Sequence, residues 1–146
     1  MEDGYREVIY PENHRLAGHK FEGEFKDGIR IGYGRMTYPN GDVFVGEFFD
    51  DSAYFGTFFF KSPKFDGDIY EGEFEDGTFN GKGVYKYLSK NHTIPGDVYK
   101  GEFKNGKRHG IGTYFYYDGA TEEGFWTDGW VNGDGKLTFP NGDFFV

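Results

Sequence analysis

Three short glycine pairs, Gly32-Tyr33-Gly34, Gly81-Lys82-Gly83 and Gly110-Ile111-Gly112, have the spacing of a phosphate-cradling loop. That chemistry needs a helix to follow, so that free N–H groups at its start meet the pyrophosphate. Each pair leads instead into strand-like sequence, which offers no such terminus. Four carboxylates, Glu24, Glu47, Glu73 and Glu102, recur at one place in a repeated pattern and could hold a cation or move protons. Their neighbours, among them Glu22, Lys26, Glu71, Glu75, Lys100 and Lys104, make them read as a solvated strand face with Lys and Thr as cross-strand partners. His14, His19, His92 and His109 fall in expected loops without the paired spacing of metal ligands. Residues 128–135 offer oxygen ligands but lack the calcium-loop order and its closing glutamate. No nucleophile and base come paired with a pocket to hold them. The sequence reads as a non-enzyme that takes no cofactor and no metal.

The elements behind these residues are clearest in 99–119, YKGEFKNGKRHGIGTYFYYDG. Tyr99, Gly101 and Phe103 alternate with Lys100, Glu102 and Lys104, so the two sets lie on opposite faces of a strand. Asn105-Gly106 turns the chain, because both residues reach positive φ at little cost. Alternation resumes at Gly112, Tyr114 and Tyr116 before Asp118-Gly119 turns it again. The unit is one β-hairpin plus a connection. Five copies span 21–43, 44–69, 70–98, 99–121 and 122–144, and a sixth begins at Phe145-Val146. Residues 1–20 supply a capping strand, 4–10, and a loop. The second copy has Asp51 where a turn glycine is expected and one residue fewer before Gly56. The fifth starts with Glu122 in place of an aromatic residue. Extra residues collect in the connections 61–67 and 88–96, where insertion costs least.

Composition narrows the class. The chain has 146 residues, 25 glycines, 22% aromatic residues and no cysteine, so rings must supply most of the apolar area of one domain. Without cysteine there is no disulfide framework or thiolate metal site. No apolar run approaches the roughly 20 residues of a membrane span, and the N-terminus has no signal-peptide pattern, so a soluble, cytoplasmic protein is expected. The formal net charge of −9 disfavours nucleic acid, which is bound through clustered Lys and Arg, and an anionic membrane surface for the same reason.

The recurring pattern, aromatic-x-Gly-Glu-Phe-x-x-Gly followed by Gly-x-Gly, an aromatic and a glycine-containing turn, resembles the MORN repeat (membrane occupation and recognition nexus), in about five copies. The resemblance implies an all-β fold: an elongated, single-layer, twisted antiparallel sheet of successive hairpins, usually with one face forming a groove. The strand reading reaches the same ribbon, ten or so strands at about 4.8 Å spacing. The resemblance also implies scaffolding, cytoskeletal, ciliary or membrane-proximal settings, and a module that occurs attached to enzymes.

Alternation places Phe25, Phe48, Tyr70, Phe74, Tyr99, Phe103 and Trp126 on one face, with Tyr85 and Tyr114 from the returning strands. These rings form the core of a thin sheet and are the candidates to line a partner-binding groove. Val43, Val45, Phe49 and Phe59 of the second copy fall on the otherwise polar face. The last three of these join the candidate partner site, unless loop 61–67 folds over them. The leading expectation is a non-catalytic scaffold that binds a peptide or helical segment in the groove or along the sheet edge. A homodimer through the exposed terminal strand is a further possibility. The alternatives are a phosphoinositide-binding membrane module, for which Lys104, Lys107, Arg108 and His109 are the nearest basic cluster, and the regulatory repeats of a larger enzyme.

Overall fold

The computed structural model describes residues 3–93 and 95–146; Met1, Glu2 and Ile94, which fall in the expected cap and the 88–96 connection, lie outside that description. Every regular element among the described residues is a strand. In chain order they are β1 (Gly4–Ile9), β2 (Lys20–Lys26), β3 (Ile29–Thr37), β4 (Val43–Phe49), β5 (Ser52–Phe59), β6 (Ile69–Glu75), β7 (Thr78–Tyr87), β8 (Asp97–Lys104), β9 (Lys107–Phe115), β10 (Thr121–Thr127), β11 (Trp130–Thr138) and β12 (Phe144–Phe145). All twelve form one antiparallel sheet in which spatial order equals chain order. The expected all-β ribbon of hairpins is the observed fold.

Turn chemistry sets the register. Asp27-Gly28, Asp76-Gly77, Asn105-Gly106 and Asp128-Gly129 each place both residues at positive φ, from 49° to 91°. That is the two-residue type I′ geometry whose twist matches paired strands. Asp50-Asp51 keeps the same geometry, at φ 47° and 72°, without any glycine. The returning strand of each hairpin is longer than the outgoing one. In the third hairpin Gly72 pairs with Gly83 and Phe74 with Phe79, so Glu73 faces three residues. The fourth hairpin repeats this around Glu102. The residue missing from the second hairpin shrinks this bulge, leaving only Tyr54 unmatched between Ala53 and Phe55. Bulges of this kind add twist locally.

The glycine pairs inside the strands exist to be lain upon. A Cβ on Gly83 would sit 2.5 Å from Cε2 and from the hydroxyl of Tyr70, and one on Gly34 would sit 2.6 Å from Phe21. Phe44 covers Gly46 and Gly56 in the same way. The flattened rings then touch the second ring of the next hairpin. Phe25, Phe21, Phe48, Phe44, Phe74, Tyr70, Phe103, Tyr99 and Trp126 form an unbroken series with centroids 4.9–5.4 Å apart and planes at 79–89°. Edge-to-face contacts are worth about 0.5–1.5 kcal/mol each beyond their buried area. This series is the core.

Candidate functional site

The structure divides the expected groove residues in two. Phe25, Phe48, Tyr70, Phe74, Tyr99, Phe103 and Trp126 are buried in the ring series and face one another. Tyr85 and Tyr114 belong to a second, half-exposed row on the same face, with Tyr38, Phe58, Phe60, Phe79, Tyr87 and Tyr116. Its members touch in sequence, Tyr85 to Tyr87 at 4.4 Å, Tyr87 to Tyr114 at 5.7 Å and Tyr114 to Tyr116 at 4.7 Å. On this face the row is the accessible aromatic surface that runs beside the sealed ring series.

Carboxylates hold the row in place. Asp68, 1% exposed, accepts hydrogen bonds from the Tyr85 hydroxyl at 2.7 Å and the Ser89 N–H at 2.8 Å. His92 Nε2 lies 2.8 and 2.9 Å from its two oxygens. Asp97 repeats the arrangement one hairpin later, accepting from the Tyr114 hydroxyl at 2.7 Å and the Tyr117 N–H at 2.8 Å. Asp42 accepts from the N–H groups of Lys61 and Ser62 at 2.7 and 2.9 Å. Each aspartate follows a glycine and precedes the first ring of a hairpin by two residues, and it fastens the next connection to the sheet. Sequence reading passed over all three, although Gly41-Asp42, Gly67-Asp68 and Gly96-Asp97 recur in register.

Arginines missed or misread in the sequence complete the face. Arg30, 5% exposed, lies 2.9 Å from the Asp51 carboxylate and donates to the Asp51 carbonyl at 2.7 Å. Arg108 donates to the Tyr87 hydroxyl at 2.9 Å and to the Gly129 carbonyl, with its guanidinium 5.1 Å from the Tyr114 ring and 5.0 Å from Trp126. The cluster of Lys104, Lys107, Arg108 and His109 therefore loses its arginine to the aromatic face. His109 lies in β9, not in a loop as expected.

The opposite face also departs from expectation. Glu102 stands opposite Lys82 in the register, as expected, whereas Glu73 stands opposite Phe55. Glu73 Oε1 accepts the Lys82 N–H at 2.6 Å and Glu102 Oε2 the Ile111 N–H at 2.9 Å, so both satisfy backbone amides exposed by the bulges. Glu47 accepts from the Tyr54 hydroxyl. Of the apolar residues on this face, Val43 is buried against its partner Phe59, Val45 and Phe59 are half-buried, and Phe49 is 75% exposed. Loop 61–67 turns to the aromatic face, where Phe65 meets Phe60 at 5.7 Å. Among the described residues the terminal strand β12 pairs only with β11, through Phe144 and Phe145. No group of His, Cys, Asp or Glu among the described residues could hold a metal ion. Among the described residues no helix is long and apolar enough to cross a membrane.

Two of the cavities that open on the aromatic face flank the tyrosine row. One, of about 590 Å3, lies over the second hairpin and is lined by Arg30, Tyr38, Phe48, Asp50, Ala53 and Gly77 among others. The other, of about 330 Å3, is lined by Tyr87, His92, Thr93, Asp97, Tyr114, Tyr116 and Tyr117. The rings between them resist ionisation. Burial pushes Tyr99 and Tyr116 up to about 12, and burial with the Asp68 and Asp97 carboxylates pushes Tyr85 and Tyr114 higher still. An unfolded chain loses these protons near 10 while the folded one keeps them, so the unfolded state binds fewer protons as pH rises through that interval. The stability these groups contribute is therefore fully present below pH 10 and is lost from about 10 towards 12. Phenolate absorbance at 295 nm should rise together with loss of near-ultraviolet circular dichroism. Ionisation of every tyrosine near pH 10 in a folded protein would contradict this environment.

No curated protein matches the sequence. Among solved structures, the chain is similar to the TCP domain of SAS-4 (dCPAP) from Drosophila melanogaster, solved in complex with a proline-rich motif of Ana2 (dSTIL). The identity is 16% over 98% of this chain and 83% of that one, with a TM-score of 0.38. A likeness this loose carries no argument about fold or binding. The sequence profile of the MORN repeat matches four segments, 21–43, 70–91, 99–121 and 123–144, leaving out the hairpin with the shortened bulge and the Asp50-Asp51 turn. Those segments make up more than half of the chain, and it belongs to the MORN repeat family.

Proposed function

We propose that the protein is a non-catalytic interaction scaffold that holds a segment of a partner protein along the half-exposed aromatic row of its returning strands. The observation that carries this reading is the state of Tyr85, Tyr87, Tyr114 and Tyr116. They form a continuous surface, and their hydroxyls are bonded to Asp68, Arg108, Asp97 and Glu122. Rings held this way offer large contact area with little entropy left to lose, which is what anchoring positions in interfaces need. The net charge of −9 favours a basic segment by steering its approach. The setting is that of a cytoplasmic assembly, cytoskeletal or ciliary structures included.

The test is affinity capture from an extract of the source cells, comparing the wild type with a Tyr87→Ser/Tyr116→Ser variant whose circular dichroism is unchanged. The expected result is a partner recovered at least about ten-fold less with the variant, in line with the loss of one interface anchor. Equal recovery of the same partners would remove the aromatic row from the function.

A further inference from the structure

One position, two residues beyond the turn, is filled differently in successive hairpins. It pairs with the second ring of its own hairpin: Arg30 with Phe25, Ala53 with Phe48, Phe79 with Phe74, Arg108 with Phe103 and Val131 with Trp126. The two arginines use the same set of partners. Arg30 donates to the Tyr10 hydroxyl of the preceding strand unit at 3.3 Å and to the Asp51 carbonyl of the following turn at 2.7 Å, with its guanidinium 5.8 Å from both Phe21 and Phe48. Arg108 donates to the Tyr87 hydroxyl of the preceding hairpin and the Gly129 carbonyl of the following turn, 6.0 Å from Tyr99 and 5.0 Å from Trp126. Phe79 occupies its own place with a ring stacked on Tyr70 at 3.9 Å.

Ala53 contributes only a methyl group. Its corresponding partners are the Tyr38 hydroxyl, the Gly77 carbonyl and the rings of Phe44 and Phe74. Tyr38, Gly77 and Ala53 all line the cavity of about 590 Å3, and Phe74 and Ala53 line an adjoining one of about 510 Å3. The turn beside it stands off from the sheet. The N–H groups of Asp51, Gly106 and Gly129 donate to the carbonyls of Arg30, Phe79 and Arg108, whereas Gly77 makes no such bond to Ala53. The Tyr38 hydroxyl meets no side-chain partner among the described residues, unlike those of Tyr85, Tyr87 and Tyr114.

We propose that this cavity receives the side chain of an arginine from the partner segment, which takes there the place that Arg30 and Arg108 take in their own hairpins. The assignment rests on the reading that a segment lies along this face, and it names the residue at one end of that segment. Charge agrees with it. The lining includes Asp50, Asp51 and Asp76 against Arg15 and Arg30, and both arginines are already drawn to Asp51, at 3.5 and 2.9 Å. Asp50 and Asp76 are left to face an incoming cation. A planar guanidinium stacks on rings while donating in two directions, as both internal arginines do; a lysine ammonium has no plane to stack.

The test titrates the full chain with N-acetyl-arginine amide and, separately, N-acetyl-lysine amide, following backbone amides by NMR. Saturable shifts at Ala53, Gly77 and Tyr38 are expected with the arginine compound, at least about five-fold weaker with the lysine one, the scale of one lost hydrogen bond. Ala53→Arg should abolish them and raise the thermal midpoint, because the side chain is then supplied in cis. Tyr38→Phe, which keeps the ring, should weaken arginine-amide binding about five-fold and serves if Ala53→Arg does not fold. Equal response to both compounds, or arginine-amide binding unchanged in Ala53→Arg or in Tyr38→Phe, overturns the assignment. If arginine amide leaves these amides unmoved while capture of a partner still depends on Tyr87 and Tyr116, the arginine site falls and the scaffold stands. If the amide binds but capture ignores those tyrosines, the site stands and the location of the segment falls.

Discussion

Gly83→Ala should lower the stability of the protein by about 3 kcal/mol, the upper end of what overpacking costs. The added methyl would have three nearest neighbours, all of them atoms of the Tyr70 side chain, at 2.5, 2.5 and 2.6 Å. Real Cβ contacts lie near 3.4 Å or beyond, so the ring must move by most of an ångström. It cannot move freely. Its hydroxyl donates to the Glu73 carbonyl at 2.7 Å, its face stacks on Phe79, and its edges meet Phe74 and Phe103 at 5.1 Å. The damage falls where the third hairpin joins the fourth, and in a repeat array each interface is shared only with its neighbour. Urea unfolding should therefore show a lower midpoint, together with early exchange of amides on both sides of β7. Two comparisons isolate the cause. Gly124→Ala, where the nearest atoms are 3.1 Å away and the covering ring is replaced by Glu122, should cost under about 1 kcal/mol. Tyr70→Ala/Gly83→Ala should be no less stable than Tyr70→Ala, because the clash disappears with the ring and the two effects do not add. A double variant that loses the sum of both would show that the ring is not what Gly83 accommodates.

This arrangement explains why the fold was legible in the sequence. Period-two alternation from Tyr99 to Lys104, the Asn105-Gly106 turn and a glycine at every hairpin centre are local signals. A single-layer ribbon in which each strand pairs with its chain neighbour needs nothing else to specify topology. The same locality concealed the rest. Arg108 stands in the polar run KNGKRHG and reads as surface charge, because its partners Tyr87 and Gly129 are each 21 residues away. Its counterpart Arg30 sits at the same offset from a turn, and that coincidence was the available signal. That Glu73 and Glu102 accept from backbone amides was not legible, because those amides become free only when the returning strand bulges. The bulge itself follows from a count, two more residues on the returning strand than on the outgoing one in the third hairpin. Asp51 reads as a defect at a glycine position. In three dimensions it is the residue that binds Arg30 through both its carboxylate and its carbonyl, which offsets the cost of its left-handed backbone.

Surface chemistry was less legible than the core for a related reason. Alternation says which face a ring lies on but not whether another ring covers it. Phe48 and Tyr114 share a face, yet the first is sealed inside the ring series while the second stays half-exposed. The difference comes from the flattening of the first ring of each hairpin over glycine, which brings it against the second ring and leaves the returning row uncovered. A partner segment on this face would thus meet the returning-strand aromatics and the connections beside them rather than the sealed ring series. The connections are where successive hairpins differ, in length and in residues such as His92 and Phe65. Core packing and connection chemistry are thereby separated along each hairpin, which lets one change without disturbing the other.

Asp68→Ala should be the most damaging change among the polar residues, at about 3 kcal/mol, the lower figure for breaking a buried charged network. The carboxylate is the common acceptor for the Tyr85 hydroxyl, the Ser89 N–H and the His92 ring, and its side chain has no exposure to water. Removing it strands a buried amide and a half-buried phenol at once, and each unsatisfied group costs about 1–3 kcal/mol when fully buried. The loss also has a geometric consequence. Asn91, two residues beyond Ser89, donates to the Pro63 and Lys64 carbonyls at 2.5 and 3.3 Å, so Asp68 indirectly fixes one connection against another. Released from Ser89 and His92, the later connection no longer forms a wall of the tyrosine-lined cavity, which includes His92 and Thr93. Ser89 amide exchange should accelerate by the full stability change. Partner capture should weaken even at a temperature where the variant remains folded. Asp68→Asn supplies the contrast, since one amide oxygen can still accept from Ser89 while the pairing with His92 loses its charge. It should lose about half as much stability, in keeping with hydrogen bonds to neutral rather than ionised acceptors. Asn and Ala variants of equal stability would mean that the carboxylate fills space without organising the connection, and the aspartates before Phe44 and Tyr99 would lose their role as fasteners with it.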